Sequence, residues 1–261
     1  MKCFIIKIGG NVLDHPAALE TFLKAFAAID ALKILVHGGG KIASKIGEAL
    51  GIESHYVDGR RITDAPTLDL VTMVYGGLIN KQLVAKLQVV GCNAVGLTGA
   101  DGNVLPAHKR PVKTIDYGFV GDVQAETVNV AWLQQLLGGG ATPVFAPLTH
   151  EGGVLLNTNA DTIASVLAVA LSALFEVRLI FCFEKKGVLL DVNDSESVIR
   201  RLPRGEYERL LLEGAFADGI LPKLENAYSA IQAGVQEVLI GDAADLIKNT
   251  GEETEGTLII W

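Results

Sequence analysis

The chain has 261 residues, of which 49% are hydrophobic, and it carries a formal net charge of −8 at pH 7. A chain of this length and composition can bury the core of one large α/β domain or of two lobes. The negative charge argues against a nucleic acid or an anionic membrane as partner, because neither would meet a broad basic surface. An anionic small substrate would therefore depend on individual lysine and arginine side chains.

The cysteines and the apolar segments indicate the compartment. Cys3, Cys92 and Cys182 lie far apart and lack any metal-ligand spacing, so we expect reduced, mostly buried thiols in a cytoplasmic protein. The apolar run before Gly9 is too short for a signal peptide. The longest apolar stretch, residues 163–183, is interrupted by two charged residues, and we expect no membrane span.

Strand and helix patterns alternate along the chain, which predicts a mainly parallel sheet covered by helices on both faces. Strands are expected in the apolar runs at residues 3–8, 33–36, 93–97, 142–145, 177–183, 237–240 and 257–260. Helices are expected where apolar residues recur with helical spacing, at residues 16–30, 41–50, 66–90, 127–137, 160–174, 206–213 and 223–233. Residues 103–114 and 149–156 have the pattern of β-hairpins. A boundary between two lobes is predicted near residues 171–178, where a fresh strand–helix series begins.

Two glycine-rich turns are the most informative local feature. Each follows a predicted strand, and together they contain Gly9, Gly10, Gly38, Gly39 and Gly40. Successive glycines let the backbone approach a bound anion and aim several N–H groups at it. Ligands of open parallel sheets bind beyond the carboxyl ends of the strands, where both turns fall. The turns therefore predict a pair of amide cradles for a transferring phosphoryl group.

The spacing of these glycines excludes two other phosphate-binding motifs. Neither turn has the G-x-x-x-x-G-K-[ST] pattern of a P-loop. The G-x-G-x-x-G spacing of a dinucleotide dehydrogenase is also incomplete, and no acidic residue ends the next strand. A third glycine run, residues 138–140, precedes a strand and is expected only to end a helix.

Several polar residues can be interpreted either structurally or functionally. Lys7 interrupts an apolar strand. It is either a lysine of an edge strand whose ammonium reaches solvent or a buried ammonium that pairs with a bound anion. Lys223 lies in the first turn of a predicted helix, where its positive charge interacts unfavourably with the helix dipole. Either exposure to solvent or a bound anion would compensate for this interaction. Asn157, Asn159 and Asp161 open a long apolar helix. One of the three would suffice as a cap, so the others suggest ligand binding or the orientation of nearby cations.

Two further residues lie beside these motifs. Arg61 belongs to an extended segment before a helix, and it is either a surface charge or a bidentate clamp for a carboxylate. His37 directly precedes the second glycine turn. We expect it to pack or hydrogen-bond beside that loop, and we assign it no catalytic role.

The ordered motifs resemble those of the amino acid kinase family across essentially the whole chain. They are I-K-I-G-G at residues 6–10, V-H-G-G-G at 36–40, D-G-x-R-I-T at 58–63, G-L-T-G-x-D-G at 96–102, G-F-V-G at 118–121, N-x-N-A-D at 157–161 and D-G-I-x-x-K at 218–223. The resemblance implies a three-layer αβα sandwich with a mainly parallel open central sheet. It also implies that a lobe of residues 1–173 holds the acylated amino acid and a lobe of residues 174–261 holds MgATP. The motifs are most similar to those of members that phosphorylate the side-chain carboxylate of N-acetyl-L-glutamate in arginine or ornithine synthesis.

The resemblance also implies roles for individual residues. Lys7 and Lys223 would stabilise the transferring phosphoryl group, and Asp161 would orient these lysines. The glycines implied to contact the phosphoryl group are Gly9, Gly10 and Gly38. The residues implied to hold the acyl-glutamate are Gly39, Gly40, Arg61, Asn157 and Asn159. The residues implied to bind the nucleotide, which carries the Mg²⁺, are Glu184, Lys185, Lys186, Gly187, Val188, Leu189, Ala215, Phe216 and Ala217.

The chain departs from the family pattern in two places. The nucleotide segment, usually D-V-x-G-V, reads F-E-K-K-G-V-L at residues 183–189, so that Glu184 replaces the usual aspartate. The chain begins at its first strand, whereas arginine-inhibited members carry an additional N-terminal helix. We therefore expect a homodimer that is insensitive to arginine.

Two alternative functions use the same motifs. One is a kinase for another N-acyl amino acid, such as N-succinyl-L-glutamate, because residues 103–120, the expected acyl pocket, do not identify the acyl group. The other is a non-catalytic regulator on the same fold, which could lose a lysine or Asp161 but would keep the glycine turns.

Overall fold

A computed structural model describes residues 1–57, 59–191, 193–216 and 220–261, with Pro222 lacking a described side chain. The strands are β1 (Lys2–Ile8), β2 (Leu32–His37), β3 (Tyr56–Val57), β4 (Arg60–Arg61), β5 (Ala94–Leu97), β6 (Ala107–Lys109), β7 (Gly121–Val123), β8 (Thr142–Phe145), β9 (Leu148–Glu151), β10 (Val154–Asn157), β11 (Glu176–Phe183), β12 (Arg201–Pro203), β13 (Glu237–Asp242) and β14 (Thr257–Ile260). The helices are α1 (Gly10–Asp14), α2 (Pro16–Ala27), α3 (Gly40–Ala49), α4 (Ala65–Val71), α5 (Asn80–Val89), α6 (Val130–Gly138), α7 (Ala160–Ser172), α8 (Arg204–Leu212), α9 (Leu221–Gln232) and α10 (Leu246–Asn249).

The chain forms two compact units. The first contains Met1–Lys33 and Leu167–Trp261, and the second contains Ile34–Val166. This division differs from the predicted lobes of residues 1–173 and 174–261. The first 33 residues group with the C-terminal part of the chain, because β1 pairs in parallel with β11. Which ligand each part of the chain holds stays a prediction.

The first unit contains a mixed, mainly parallel sheet with strand order β12-β14-β13-β11-β1. Strand β11 is parallel to both β1 and β13, whereas β14 is antiparallel to β13 and parallel to β12. The apolar residues of β1 and β11 are almost continuously buried, as is typical of parallel strands covered on both faces. The predicted mainly parallel sheet is confirmed, and Lys7 is the half-buried interruption in β1.

The second unit contains the parallel strands β2, β8 and β5 in that order, together with short antiparallel pairs. The predicted hairpin at residues 149–156 is confirmed, since β9 pairs with β10. Its two loop residues, Gly152 and Gly153, both have positive φ, as a type I′ turn requires. The predicted hairpin at residues 103–114 is wrong. Strand β6 pairs instead with β7, and Pro106, next to β6, forms a parallel bridge with His150 of β9 and no turn of a local hairpin.

The long predicted helix at residues 66–90 is confirmed, but it is not a uniform α-helix. Helices α4 and α5 are joined by a π-helical segment, Thr72–Ile79, whose wider turns are often found at functional sites. This π-helical segment lies against the second glycine turn.

The buried groups agree with the composition. Cys3, Cys92 and Cys182 are buried free thiols, as predicted. Across the described residues, no helix combines the length and apolar character needed to cross a bilayer.

Candidate active site

The first glycine turn follows β1 and lies beside Lys7. Gly9 precedes α1 in an extended conformation, and a Cβ built on Gly9 would lie 3.6 Å from Lys7 Nζ. The turn is therefore within reach of the lysine ammonium. Burial raises the pKa of the Cys182 thiol to about 12, and the Lys7 charge opposes that rise. Lys7 is paired in register with Phe181 of β11, so it lies near the carboxyl ends of both β1 and β11.

Lys223 lies at the end of the same pair of strands. It occupies the first turn of α9, and its Nζ lies 4.7 Å from the centre of the Phe183 ring, the last residue of β11. The first unit therefore places both predicted catalytic lysines at the carboxyl ends of neighbouring parallel strands, which is where such sheets bind ligands.

A cavity of about 470 Å³ opens in the first unit. It is lined by Phe183, Lys185, Gly187, Val188, Leu189, Leu190, Asp191, Gly214, Ala215, Phe216 and Ile220. Six of these are predicted nucleotide residues. Of the other predicted nucleotide residues, Glu184 and Lys186 do not line the cavity, and Ala217 lies outside the described residues. Lys186 instead forms an ion pair with Glu196, with Nζ 2.5 Å from Oε1. No sequence motif predicts this pairing.

Close packing determines the shape of this cavity. The Val188 N–H donates to Thr257 Oγ1 at 2.8 Å. A Cβ at Gly187 would lie 2.6 Å from the same oxygen, so only glycine allows this approach. Another lining residue, Phe216, packs against the buried Tyr207 with ring centres 5.7 Å apart. Contacts with buried residues of the first unit therefore hold both parts of the lining.

The second glycine turn leads from β2 into α3. Gly39 is the N-cap of α3 and has a φ of 154°, a conformation that favours glycine. A Cβ at Gly39 would lie 2.4 Å from Ile79 Cδ1 and 3.1 Å from Tyr75 Cδ1. The glycine thus lets the turn pack directly on the π-helical segment. Tyr75 and Ile79 were not predicted, because they lie inside a helix without a motif.

His37 is buried beside this turn and hydrogen-bonded at both ring nitrogens. Nδ1 lies 2.7 Å from the Gly38 carbonyl oxygen, and Nε2 lies 3.2 Å from Asn80 Nδ2. Asn80 also donates to the Val144 carbonyl at 2.8 Å. Burial lowers the pKa of the His37 imidazole to about 4, so the ring is neutral at pH 7. The predicted hydrogen bond of His37 beside its loop is confirmed, whereas Asn80 was missed.

Arg61 is a buried side chain and not a surface charge. Its Nη2 donates to the Gly40 carbonyl and to Ser44 Oγ, both at 2.9 Å. Its Nη1 donates to Ser54 Oγ at 2.5 Å, and the guanidinium lies 4.8 Å from the centre of the Tyr56 ring. The structure therefore brings Arg61 to the second glycine turn.

Asn157 is joined to the Arg61 segment through Thr63. Its Nδ2 donates to Thr63 Oγ1 at 2.9 Å, and its backbone N–H donates to the Phe119 carbonyl at 2.9 Å. Thr63 is in turn paired with residues around Gly118. These contacts place Asn157 and Arg61 in one hydrogen-bonded region of the second unit.

Asn159 provides the cap that opens α7. Its Oδ1 accepts from the N–H groups of Asp161 and Thr162 at 2.8 and 3.1 Å. The structural interpretation of Asn159 is therefore confirmed, and its contact with a ligand stays a prediction. Asp161 lies in the first turn of α7. No group of three or more His, Cys, Asp or Glu side chains suited to a metal ion occurs in the described ranges.

Mainly parallel sheets with flanking helices, and lysines and glycine turns at the strand ends, define an α/β protein built to bind anions. The chain belongs to the amino acid kinase family, whose model matches residues 2–242.

Its relatives are similar over nearly their whole length. A protein of Cytophaga hutchinsonii named acetylglutamate kinase is 56% identical over 99% of this chain and 98% of its own length. A Bacteroides thetaiotaomicron protein of the same name is 57% identical over 96% of this chain and 97% of its own length. One from Methanopyrus kandleri is 41% identical over 95% of this chain and 98% of its own length.

Solved structures share the fold. The chain matches N-acetylglutamate synthase from Neisseria gonorrhoeae, complexed with coenzyme A and N-acetyl-glutamate, with a TM-score of 0.83 and 22% identity. That match covers 100% of this chain and 59% of the synthase. Carbamate kinase from Giardia lamblia, bound to AMP-PNP, matches with a TM-score of 0.71 and 15% identity over 99% of this chain and 98% of its own. These likenesses confirm the αβα fold of the family.

Gly118 holds the segment that carries Arg61. A Cβ at Gly118 would lie 2.2 Å from the Thr63 carbonyl oxygen, and its φ is +72°. We expect Gly118→Ala to lower the free energy of unfolding by about 3 kcal/mol, through a strained φ and a backbone clash. Gly152→Ala is the matched control, because Gly152 has a φ of +56° and no described atom within 4 Å of its Cβ. It should cost about 1 kcal/mol. Urea unfolding measures both, and equal losses would contradict the clash.

The buried neutral His37 should make stability depend on pH. The folded pKa of about 4 lies below the ordinary value of 6.5, so below pH 6.5 the unfolded chain takes up a proton that the folded chain refuses. The contribution of His37 to the free energy of unfolding is complete above pH 6.5 and is lost as the pH falls toward 4. In all it amounts to about 3 kcal/mol. Urea titrations between pH 7.5 and about 5, above the main range of carboxylate titration, should show this slope, and His37→Asn should flatten it. An unchanged slope in the variant would show that His37 is not its source.

Proposed function

We propose that this protein transfers the γ-phosphoryl group of MgATP to the side-chain carboxylate of N-acetyl-L-glutamate. The products are N-acetyl-L-glutamyl 5-phosphate and ADP, a step toward arginine or ornithine. The observation that carries the proposal is 56–57% identity, over nearly the whole chain, to proteins named acetylglutamate kinase.

The chemistry of the acceptor suits a site without a general base. A glutamate-like carboxylate has a pKa near 4.3 and is ionised at neutral pH. One of its oxygens forms the new bond to the γ-phosphorus, and the bond from that phosphorus to the β,γ-bridging oxygen breaks as ADP leaves. Both reactants are anionic, so the main tasks are positioning and neutralisation of charge.

The lysines and the glycine turns supply this neutralisation. Lys7 and Lys223 stabilise the negative charge on the equatorial oxygens of the phosphoryl group, and Asp161 orients the ammonium groups. Amide N–H groups of the turns at Gly9, Gly10 and Gly38 add fixed donors. Such preorganised donors stabilise the transition state without reorganising during the reaction.

Arg61 binds a carboxylate of the acceptor. Its hydrogen-bond partners at Gly40, Ser44 and Ser54 are all neutral, so the buried guanidinium has a charge that a carboxylate would balance. The other acceptor contacts come from Gly39, Gly40, Asn157 and Asn159.

The cavity in the first unit holds the nucleotide. Its walls include Phe183, Val188, Leu189 and Phe216, which suit the apolar faces of an adenine base. Lys185 offers a positive charge to the phosphates. Mg²⁺ enters with the triphosphate as part of the substrate, and it supplies neutralisation of the phosphate charge when bound.

An acyl group that carries its own carboxylate, as in N-succinyl-L-glutamate, is the second candidate. Arg110 binds Asp122 through Nε and Nη2. Its buried Nη1 has no hydrogen-bond partner among the described residues. The Arg110 N–H donates to the Val120 carbonyl, and Val120 bridges to Asn157. Val120 therefore links the backbone of Arg110 to that of Asn157. The buried Nη1 of Arg110, which lacks a partner among the described residues, is the observation that favours this alternative.

The assembly and the location of the enzyme complete the proposal. We propose that it acts as a homodimer in the cytoplasm, as the family resemblance and the three reduced cysteines suggest. Sedimentation of the purified protein would show a species of twice the 27.7 kDa chain mass.

The reaction is tested by incubating the protein with MgATP and either acyl-glutamate in the presence of hydroxylamine. We expect hydroxamate from N-acetyl-L-glutamate, and from N-succinyl-L-glutamate only if the second candidate holds. Asp161→Asn should lower kcat at least roughly a hundredfold while ATP binding persists. Hydroxamate from neither substrate, with ATP still bound, would overturn the proposal in favour of another acceptor or a regulator.

A pair of variants separates the two substrates. Arg61→Gln should raise KM for the acyl-glutamate by roughly tenfold or more and leave KM for ATP nearly unchanged, because a charged contact is lost. Ala215→Leu should do the reverse by filling the cavity. Leu212→Ala is the control, since this side chain on α8 is 90% exposed. The opposite pattern of KM changes would show that we have assigned the acceptor and the nucleotide to the wrong sites.

A further inference from the structure

The hydrogen bonds around His37 determine which ring nitrogen carries the proton. The Gly38 carbonyl oxygen 2.7 Å from Nδ1 can only accept, so Nδ1 is the protonated nitrogen. In the neutral ring Nε2 is then an acceptor. It receives one of the two hydrogens of Asn80 Nδ2, whose other hydrogen goes to the Val144 carbonyl.

The orientation of the Asn80 amide is fixed independently of the histidine. Its Nδ2 faces the Val144 carbonyl, which needs a donor. Its Oδ1 accepts from Lys81 Nζ at 3.1 Å, and the same ammonium donates to the Gly96 carbonyl at 3.0 Å. Each polar atom in the chain from Lys81 to Gly38 therefore has a partner of the correct type.

The same network explains a glycine in the G-L-T-G-x-D-G motif. A Cβ at Gly96 would lie 2.0 Å from Asn80 Oδ1 and 2.7 Å from Lys81 Nζ. Any larger residue would displace the amide that holds His37. The glycine at this position thus keeps space for Asn80.

The bond from His37 to Gly38 controls the direction of the next amide. In a planar trans peptide the N–H of Gly39 points opposite to the carbonyl of Gly38. With that carbonyl held against the imidazole, the Gly39 N–H faces away from His37. Gly39 is also the N-cap of α3, and the first N–H groups of a helix have no partner inside it.

The π-helical segment holds the turn from its other side. Tyr75 and Ile79 pack against Gly39, and Asn80 directly follows Ile79 in the chain. One continuous helical stretch therefore supports both the glycine turn and the imidazole that orients it.

We propose that His37, locked by Asn80, is a positioning residue that fixes the Gly38–Gly39 peptide with the Gly39 N–H directed at the transferring phosphoryl group or its acceptor. The proposal rests on the proposed kinase function. His37 itself touches no reacting atom. It acts by removing the freedom of a flexible Gly-Gly peptide to rotate, which would otherwise turn a carbonyl toward an anion.

Two substitutions of His37 separate this role from a packing role. In His37→Asn the side-chain Nδ2 takes the position of the imidazole Nδ1 and can still donate to the Gly38 carbonyl. In His37→Gln the amide reaches the position of Nε2, so the contact with Asn80 is kept and that with Gly38 is lost. We expect His37→Gln to lower kcat roughly ten- to hundredfold with KM for ATP within about twofold of the wild-type value. His37→Asn should keep kcat within about threefold of the wild-type value.

The hydroxylamine assay gives kcat and KM, thermal unfolding gives the stability of each variant, and the ¹⁵N imidazole spectrum of the wild-type protein gives the tautomer. The proposal predicts a ring protonated at Nδ1. It also predicts that kcat falls in the order wild type, His37→Asn, His37→Gln, and that this order does not follow the thermal stabilities of the variants. Equal kcat losses, unchanged kcat in both variants, or an Nε2-protonated ring would overturn it. If His37→Gln does not fold, the spectrum and His37→Asn still decide.

The two proposals fail differently. Hydroxamate from the wild-type protein, together with full turnover in His37→Gln, would overturn the role of His37 alone. Absence of hydroxamate from the wild-type protein with every acyl-glutamate would overturn the kinase function, and the positioning role would fall with it.

Discussion

Repulsion between a carboxylate and a triphosphate is the constraint on which the whole arrangement depends. A chain with a net charge of −8 worsens this repulsion at long range, so positive groups must be supplied at fixed points close to the reaction. Lys7 and Lys223 lie at the carboxyl ends of adjacent parallel strands, and backbone amides of the glycine turns add donors that carry no net charge. Within the first unit, the parallel topology brings the two lysines to the carboxyl ends of neighbouring strands, where such sheets bind ligands.

The N–H groups of the second glycine turn can point in a fixed direction only if the turn itself is held rigidly. Buried neighbouring residues hold it. Gly39 has no side chain to hold it, yet its turn is confined by Tyr75 and Ile79 and by the hydrogen bond from His37. Arg61 reaches the Gly40 carbonyl from a neighbouring segment. Arg61 and the second glycine turn are therefore parts of one packed region of the second unit, and a change at either would affect the other. Burial keeps His37 neutral, so the hydrogen bond that it donates does not depend on pH in the physiological range.

Much of this could be predicted from local sequence. Apolar runs located the strands of the sheets, and the glycines and Lys7 were visible because they interrupt or end such runs. Features that depend on distant contacts were not visible. The hairpin at residues 103–114 was misassigned because β6 pairs with β7, which lies beyond the end of that range, at residues 121–123. The pairing of Lys186 with Glu196 and the position of Asn80 under the second glycine turn likewise join residues without a shared pattern.

Transfer of a phosphoryl group to a carboxylate oxygen is the central claim, and ³¹P NMR tests it most directly. The protein would be incubated with MgATP and N-acetyl-L-glutamate that carries ¹⁸O in its side-chain carboxylate. The account predicts an acyl-phosphate resonance with the isotope shift of one ¹⁸O bonded to phosphorus, formed together with ADP. ATP that persists unchanged, or its conversion to unlabelled inorganic phosphate without an acyl phosphate, would contradict the account.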